Sequence, residues 1–181
     1  YSFILNEGEH LSILAIDGAK ECCIELNSMS KSHNMPGWRV GMLAANAEFV
    51  SWILKVKSNI DSGTFRAVQL AAAAAMDNDE DWHREHNVRR YAERRTLAES
   101  IMQALGCRFD RDQTGLFLWG RIPDALADAE ELTERALHEA DVFITPGGIF
   151  GQNGRRYVRI SLCADENRMS DALARIQNVF A

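Results

Sequence analysis

The chain has 181 residues, of which 46% are hydrophobic and 25% charged, as in an ordinary globular protein. This length suggests one domain, or one domain and part of another. Its net charge of −6 gives no electrostatic support for a nucleic-acid partner. No apolar run is long enough to span a bilayer. We therefore expect neither nucleic acid nor membrane among its partners.

Short apolar strands and helices alternate over the first part of the chain. Strands are predicted at residues 11–16, 22–27 and 42–45, and a helix capped by Asn46 follows them. An alanine-rich helix is predicted at residues 65–76. Because strands that alternate with helices in this way usually pair in parallel, we predict an α/β fold with a parallel sheet covered by helices.

The second part of the chain has the pattern of an α+β domain. A long helix is predicted at residues 87–105, with Gly106 as its C-terminal cap. Further elements are predicted as strands at 114–120, 141–144 and 156–162 and helices at 124–140 and 165–180. We place a domain boundary within the helical run, so that residues 1–81 and 82–181 form separate domains.

The cysteines and histidines do not predict a metal site. The four cysteines show no metal-ligand spacing: Cys22, Cys23, Cys107 and Cys163. Cys22 and Cys23 are adjacent in a predicted strand, so their side chains are expected on opposite faces. We interpret all four as reduced, buried thiols of a cytoplasmic protein. His83 and His86 share one helix face but have no further zinc ligands nearby, and we expect a solvated helix face.

One segment, residues 28–41, carries side chains suited to covalent and phosphate chemistry. Lys31 follows a predicted strand, where packing can keep its amine partly desolvated and therefore nucleophilic. A nucleophilic amine is what a Schiff base with a carbonyl cofactor requires. Ser28, Ser30 and Arg39 add hydroxyl donors and a planar cation, a combination suited to a phosphate group.

A second segment, residues 157–162, alternates along a predicted strand. Arg159 lies on the face opposite Val158 and Ile160. A charge among apolar residues is costly to bury unless it has a partner. A substrate carboxylate can be that partner, because the guanidinium group binds a carboxylate through two parallel hydrogen bonds.

Both segments resemble one known family. Residues 28–41 resemble the cofactor-lysine segment of the class I/II (fold-type I) aminotransferases that depend on pyridoxal 5'-phosphate, most closely the subgroup acting on alanine, aspartate or diaminopimelate-like donors. Residues 143–150 and 157–162 resemble the small-domain signature of the same family. The resemblance implies the later half of a large cofactor-binding domain, with a parallel sheet and helices, followed by an α+β C-terminal small domain.

The resemblance also implies roles for individual residues around the cofactor. Lys31 would hold pyridoxal phosphate as a Schiff base and move the α-proton. Ser28, Ser30 and Arg39 would hold the phosphate, and Tyr1 would hydrogen-bond the phenolic oxygen.

For the substrate, the resemblance implies that Arg159 binds the α-carboxylate while an amino group moves between an amino acid and a 2-oxo acid. The loop at 58–64 would reach towards a neighbouring subunit, so a homodimer is expected. The chain begins at Tyr1 without the acidic partner of the pyridine nitrogen, and we expect a C-terminal fragment that is inactive alone. Two alternatives remain: a lyase, decarboxylase or synthase of the same fold, or a cofactor-binding regulatory module fused to a DNA-binding domain.

Overall fold

The computed structural model describes residues 3–6, 8 and 11–180. The chain divides into two compact units, Tyr1–Asn87 and Val88–Ala181. The domain boundary expected from the sequence, between residues 81 and 82, lies within the same helical run and stays a prediction.

The first unit is built from two strands, several helices and single 3-10 turns. Its elements in chain order are 3-10 turns at Ile13–Ala15 and Ala19–Glu21, β1 (Glu25–Ser28), α1 (Met29–Ser32), a 3-10 turn at Pro36–Trp38, β2 (Gly41–Ala44), α2 (Ala47–Ile60), α3 (Arg66–Asp77) and α4 (Asp79–Trp82). A small core forms around Met29, Met35 and Ala72. The chain continues through a π-helical stretch, His83–Arg90.

The strand pairing in the first unit differs from the prediction. β1 and β2 run antiparallel, with Ser28 opposite Gly41, so the predicted parallel sheet is wrong for this pair. Two residues of the connection have left-handed backbone conformation, Asn34 and Arg39, each with φ of 50°. They turn the chain back beside β1, whereas a parallel partner needs a longer crossover over the face of the sheet.

Local capping explains one wrong and one correct prediction. The strand predicted at 11–16 is absent because the Ser12 hydroxyl accepts a hydrogen bond from the Leu14 N–H at 3.2 Å and starts a 3-10 turn. The cap predicted at Asn46 is confirmed, since its side chain accepts from the Phe49 N–H at 2.9 Å at the start of α2.

The second unit packs helices against a small antiparallel sheet. Its elements are α5 (Tyr91–Ala104), β3 (Phe117–Arg121), α6 (Ala129–Ala140), β4 (Thr145–Pro146), β5 (Tyr157–Ser161) and α7 (Glu166–Phe180). The strand order is β3–β5–β4, with Trp119 opposite Arg159. The strand predicted at 141–144 is wrong, because Asp141, with φ of 52°, caps α6 and pairing begins only at Thr145.

The core of the second unit lies between its helices and the inner face of the sheet. It includes Ala98, Ile101, Met102, Leu118, Val158 and Ile176, all buried. Gly106, with φ of 69°, follows α5 as predicted, and its N–H donates to the Gln103 carbonyl. No helix among the described residues is long and apolar enough to cross a membrane.

Candidate functional site

Lys31 lies in α1, directly after the end of β1. Ser28 caps this helical turn, because its hydroxyl oxygen accepts a hydrogen bond from the Ser30 N–H at 3.2 Å. The Ser28 hydroxyl in turn donates to the Ser30 hydroxyl at 3.0 Å. The two serines, three residues and one residue before the lysine, are therefore held together.

An open cleft of about 570 Å³ lies beside this segment. It is lined by residues 3, 11–13, 25–28, 31 and 32, all within the first unit. Its volume falls within the range of roughly 300–1,000 Å³ that small-molecule sites occupy. Lys31, which is half-buried, and Ser28, which is exposed, both line this cleft. A lysine amine and a hydroxyl are residue types that fit a phosphorylated carbonyl compound.

The other three predicted cofactor residues are not found at the cleft. Ser30 accepts a hydrogen bond from Ser28 but, within the described chain, is not among the residues that line the cleft. Arg39 is exposed, and its guanidinium donates to the Pro36 carbonyl at 2.9 Å. In the part of the chain that the structure describes, Arg39 is not among the residues that line the cleft. Tyr1 lies outside the described residues.

Two residues that the sequence analysis did not assign hold the backbone next to Lys31. The Trp82 indole N–H and the Asn87 side-chain amide both donate to the Ser32 carbonyl, each at 2.8 Å. Asn87 is fully buried, and its own carbonyl accepts from the Leu5 N–H at 3.0 Å. The available signal was an asparagine within a helical run, where this residue type is unfavourable without a specific role.

The prediction that His83 and His86 form a solvated helix face is wrong. His83 is half-buried, with its Nε2 atom 3.1 Å from the Asn6 carbonyl. The His86 ring stacks on the Trp82 ring at a centroid distance of 4.1 Å. Among the described residues, no group of three or more potential metal ligands comes together.

Arg159 occupies the second unit, on the sheet face away from Val158 and Ile160. Its guanidinium carbon lies 4.0 Å from the ring centre of Phe117 and 4.3 Å from that of Phe150. The Nε atom is buried and has no hydrogen-bond partner within the described chain. Aromatic faces attract a cation without using its N–H donors. The rings therefore stabilise the positive charge of Arg159 and leave its N–H groups able to donate to another partner.

Two neighbouring arginines have partners of their own within the second unit. Arg156 donates to the carbonyls of Pro123 at 2.8 Å and Ala127 at 3.0 Å. Arg155 lies 3.5 Å from the Asp128 carboxylate. Arg156 is therefore a structural residue.

The prediction of four buried thiols is correct only for Cys107. Burial raises the pKa of Cys107 to about 12, because an apolar environment disfavours the thiolate. Cys22 and Cys163 are exposed and Cys23 is half-buried. Cys22 and Cys23 precede β1, which begins at Glu25, so they do not lie in a strand that would point them apart.

Comparison with known proteins identifies the family. The model of the aminotransferase class I and II family matches residues 3–176, and the chain belongs to this family. The family depends on pyridoxal phosphate. The resemblance seen in the sequence, and the cofactor that it implies, are confirmed.

Similar sequences carry a more specific name. The LL-diaminopimelate aminotransferases of Nitratidesulfovibrio vulgaris (strain Miyazaki F) and Aquifex aeolicus are each 38% identical to this chain over 169 residues. Each match covers 93% of this chain and 43% of the relative. The chain thus spans less than half the length of these relatives.

Solved structures share the α/β fold. BacF from Bacillus subtilis without ligand has a TM-score of 0.87 and 28% identity over 100% of this chain. The aromatic aminotransferase from Pyrococcus horikoshii OT3 has a TM-score of 0.85 and 30% identity over 98% of it. These matches cover 46% and 48% of the two solved chains. The predicted α/β aminotransferase fold is therefore confirmed at this level.

Proposed function

We propose that this chain supplies the cofactor lysine and the carboxylate-binding arginine of an enzyme that moves an amino group between an amino acid and a 2-oxo acid. The observation that carries the proposal is that Lys31 and Ser28 line one cleft in a member of the aminotransferase family. The relatives named LL-diaminopimelate aminotransferases make a diaminopimelate-like compound the first donor to test.

In this proposal Lys31 acts through its Nζ atom. When bound, pyridoxal phosphate supplies the electron sink that amino-group transfer requires. The Lys31 amine would hold the cofactor through its aldehyde group, and the same amine would accept the substrate's α-proton and return it. The hydrogen bonds from Trp82 and Asn87 to Ser32 fix the backbone from which Lys31 extends.

The hydroxyls of Ser28 and Ser30 are assigned to the phosphate. Their mutual hydrogen bond at 3.0 Å keeps both oxygens within reach of one ligand group. Arg39 and Tyr1 belong to the proposal through the family resemblance. For Arg39 the exposed guanidinium, which has one described contact to the Pro36 carbonyl, leaves further donors for an anion.

Arg159 is assigned to the α-carboxylate of the substrate. Its ring contacts with Phe117 and Phe150 leave hydrogen-bond donors for two parallel bonds to the two carboxylate oxygens. Among the described residues no ion pair involves Arg159, which supports an external anionic partner.

A homodimeric, cytoplasmic enzyme is part of the same proposal. Large apolar side chains of the first unit are exposed, including Ile60 at 77% and Phe65 at 74%, on either side of the loop between α2 and α3. Surfaces of this kind are typical of regions that another protein surface covers. The oligomeric state of the active enzyme in solution tests this part.

Covalent labelling tests the assignment of Lys31. The chain contains four lysines, Lys20, Lys31, Lys55 and Lys57. Pyridoxal phosphate is added to the purified protein, borohydride fixes the bound cofactor, and peptide mapping locates it. We expect the label on Lys31, its loss in Lys31→Ala and its retention in Lys55→Ala. Labelling of another lysine with full yield in Lys31→Ala would remove Lys31 from this role.

Product analysis tests the reaction. Incubation of the active enzyme with an amino donor and 2-oxoglutarate should give glutamate and the donor's oxo acid in equal amounts. Carbon dioxide or ammonia release without glutamate would favour a lyase or decarboxylase of the same fold instead.

A further inference from the structure

The adjacent thiols Cys22 and Cys23 lie side by side before β1. Their sulfur atoms are 3.8 Å apart and form a weak S–H···S contact. Cys22 is exposed and Cys23 is half-buried, so reagents in solution can reach the pair. This arrangement differs from the opposite orientation that a strand would impose.

A tight turn holds both cysteines in place. The N–H groups of Cys22 and Cys23 both donate to the Ala19 carbonyl, at 3.1 and 2.8 Å. The neighbouring Lys20 carbonyl accepts the Asn46 side-chain amide at 3.0 Å, which ties the turn to the start of α2. The two sulfur atoms are therefore brought together on a fixed backbone before any ligand binds.

The surroundings select the kind of ligand. In the described part of the chain no third histidine, cysteine or carboxylate joins the two thiols, so the four-ligand tetrahedral site that zinc requires is absent there. A direct disulfide is also disfavoured. Neighbouring Cα atoms are about 3.8 Å apart, against roughly 4.4–6.8 Å in ordinary disulfides. A ligand atom that bonds to both sulfurs and lies between them needs no further protein ligand. It also does not require the two sulfurs to bond directly to each other.

We propose that Cys22 and Cys23 form a dithiol site for monosubstituted trivalent arsenicals, compounds in which arsenic carries one organic group and one oxygen. Two sulfur–arsenic bonds form and the arsenic–oxygen bonds break. The two thiol protons leave with the oxygen as one molecule of water. Arsenic remains trivalent and neither sulfur is oxidised, so the step needs no oxidant or reductant.

The hydrogen bond with Cys22, followed by burial, raises the pKa of Cys23. The exposed Cys22, which a reagent in solution reaches more easily than the half-buried Cys23, makes the first bond. The second bond then closes a ring within one protein molecule, where the effective concentration of the second thiol far exceeds that of any free thiol.

Phenylarsine oxide is the probe, used at one equivalent with the purified 181-residue chain. Intact mass should increase by one phenylarsenic group minus two hydrogen atoms, and peptide mapping should place it on the peptide containing Cys22 and Cys23. Cys22→Ser and Cys23→Ser should each lose the adduct. Cys163→Ser is the matched control, because Cys163 is exposed but has no neighbouring cysteine, and it should retain the full adduct.

Competition separates a dithiol site from two independent thiols. Excess 2-mercaptoethanol should leave the adduct in place, whereas an equal concentration of 2,3-dimercaptopropanol should remove it. An adduct that survives in Cys22→Ser, disappears in Cys163→Ser or is stripped by 2-mercaptoethanol would overturn the proposal. The peptide map of the unmodified sequence decides the site even if a serine variant folds poorly.

Discussion

The guanidinium of Arg159 lies over the ring of Phe150, with 4.3 Å between its central carbon and the ring centre. The two residues come from different elements, since β5 carries Arg159 and a 3-10 turn, Gly147–Phe150, carries the ring. Phe117 on β3 contributes a second ring at 4.0 Å. The charge is thus stabilised by aromatic faces, and the hydrogen-bond donors are not consumed.

Removing the Phe150 ring should weaken substrate binding with little effect on turnover. Phe150→Leu in the active enzyme should raise KM for the amino acid about 2- to 5-fold, since an exposed cation–π contact contributes roughly 0.5–1 kcal/mol. Steady-state kinetics measures this, with Phe150→Tyr expected near the parent value. Phe109→Leu is the control, because Phe109 lies in the same unit and Arg159 has no described contact with it. An equal rise in KM in Phe150→Leu and Phe109→Leu would contradict the role of the Phe150 ring in supporting Arg159.

Removing the Arg159 side chain should raise KM for the amino acid far more than removing the Phe150 ring. Arg159→Ala should raise KM for amino acids by roughly two orders of magnitude, because a charge-assisted pair of hydrogen bonds is lost. Cofactor binding, measured by absorbance titration, should change little. Arg155→Ala serves as the comparison, since Arg155 is exposed and its described ion pair with Asp128 is long, at 3.5 Å. An unchanged KM in Arg159→Ala would make Arg159 a structural residue.

Asn87 should stabilise the segment that contains Lys31. Asn87→Leu removes the amide that donates to the Ser32 carbonyl, and we expect a loss of about 1–3 kcal/mol in the free energy of unfolding. Urea denaturation measures it. Asn59→Leu is the matched control, because Asn59 is exposed and donates only within its own helix, to the Lys55 carbonyl. A smaller loss for Asn87→Leu than for Asn59→Leu would exclude this role.

Local sequence signals predict local structure well in this protein. The Asn46 cap and the Gly106 helix end were predictable because each depends on residues a few positions away. The Ser12 turn was missed because one hydroxyl overrides an otherwise apolar run. Lys31 and Arg159 could be singled out by type and position, and their assigned roles stay predictions.

Contacts between distant residues could not be predicted from the sequence. Asn87 meets Ser32 across 55 positions of the chain, and no pattern near either residue indicates the pairing. The rings near Arg159 depend on the strand register that sets Trp119 opposite Arg159 and on the path of the turn that carries Phe150. Such geometry is a property of packing, which the spacing of residue types does not encode.

Glu166 should make stability depend on pH in the acid range. A hydrogen bond from its own backbone N–H and one from Arg94, whose Nε lies 2.9 Å away, hold the pKa of Glu166 below its ordinary value. A carboxylate with a lowered folded-state pKa stabilises the protein above its unfolded-state pKa and loses this contribution as pH falls through the folded-state value. The parent should therefore exceed Glu166→Gln in unfolding free energy by its largest amount near neutral pH. This difference should shrink below about pH 4.3, the ordinary pKa of a glutamate. A constant difference across that range, measured by urea denaturation, would contradict the assignment.

Gly154 should control the position of Phe150 through the backbone of the turn. A Cβ atom at Gly154 would collide with the Gly147 carbonyl oxygen, which is main chain and cannot move aside cheaply. Gly154→Ala should therefore displace the turn that carries Phe150, lower the free energy of unfolding and raise KM at least as much as Phe150→Leu. Gly148→Ala is the control in the same turn, because its added Cβ would meet only the flexible end of the Glu130 side chain, 2.5 Å away. Denaturation and kinetics on both variants test this, and a parent-like KM in Gly154→Ala would show that the turn does not set the geometry around Arg159.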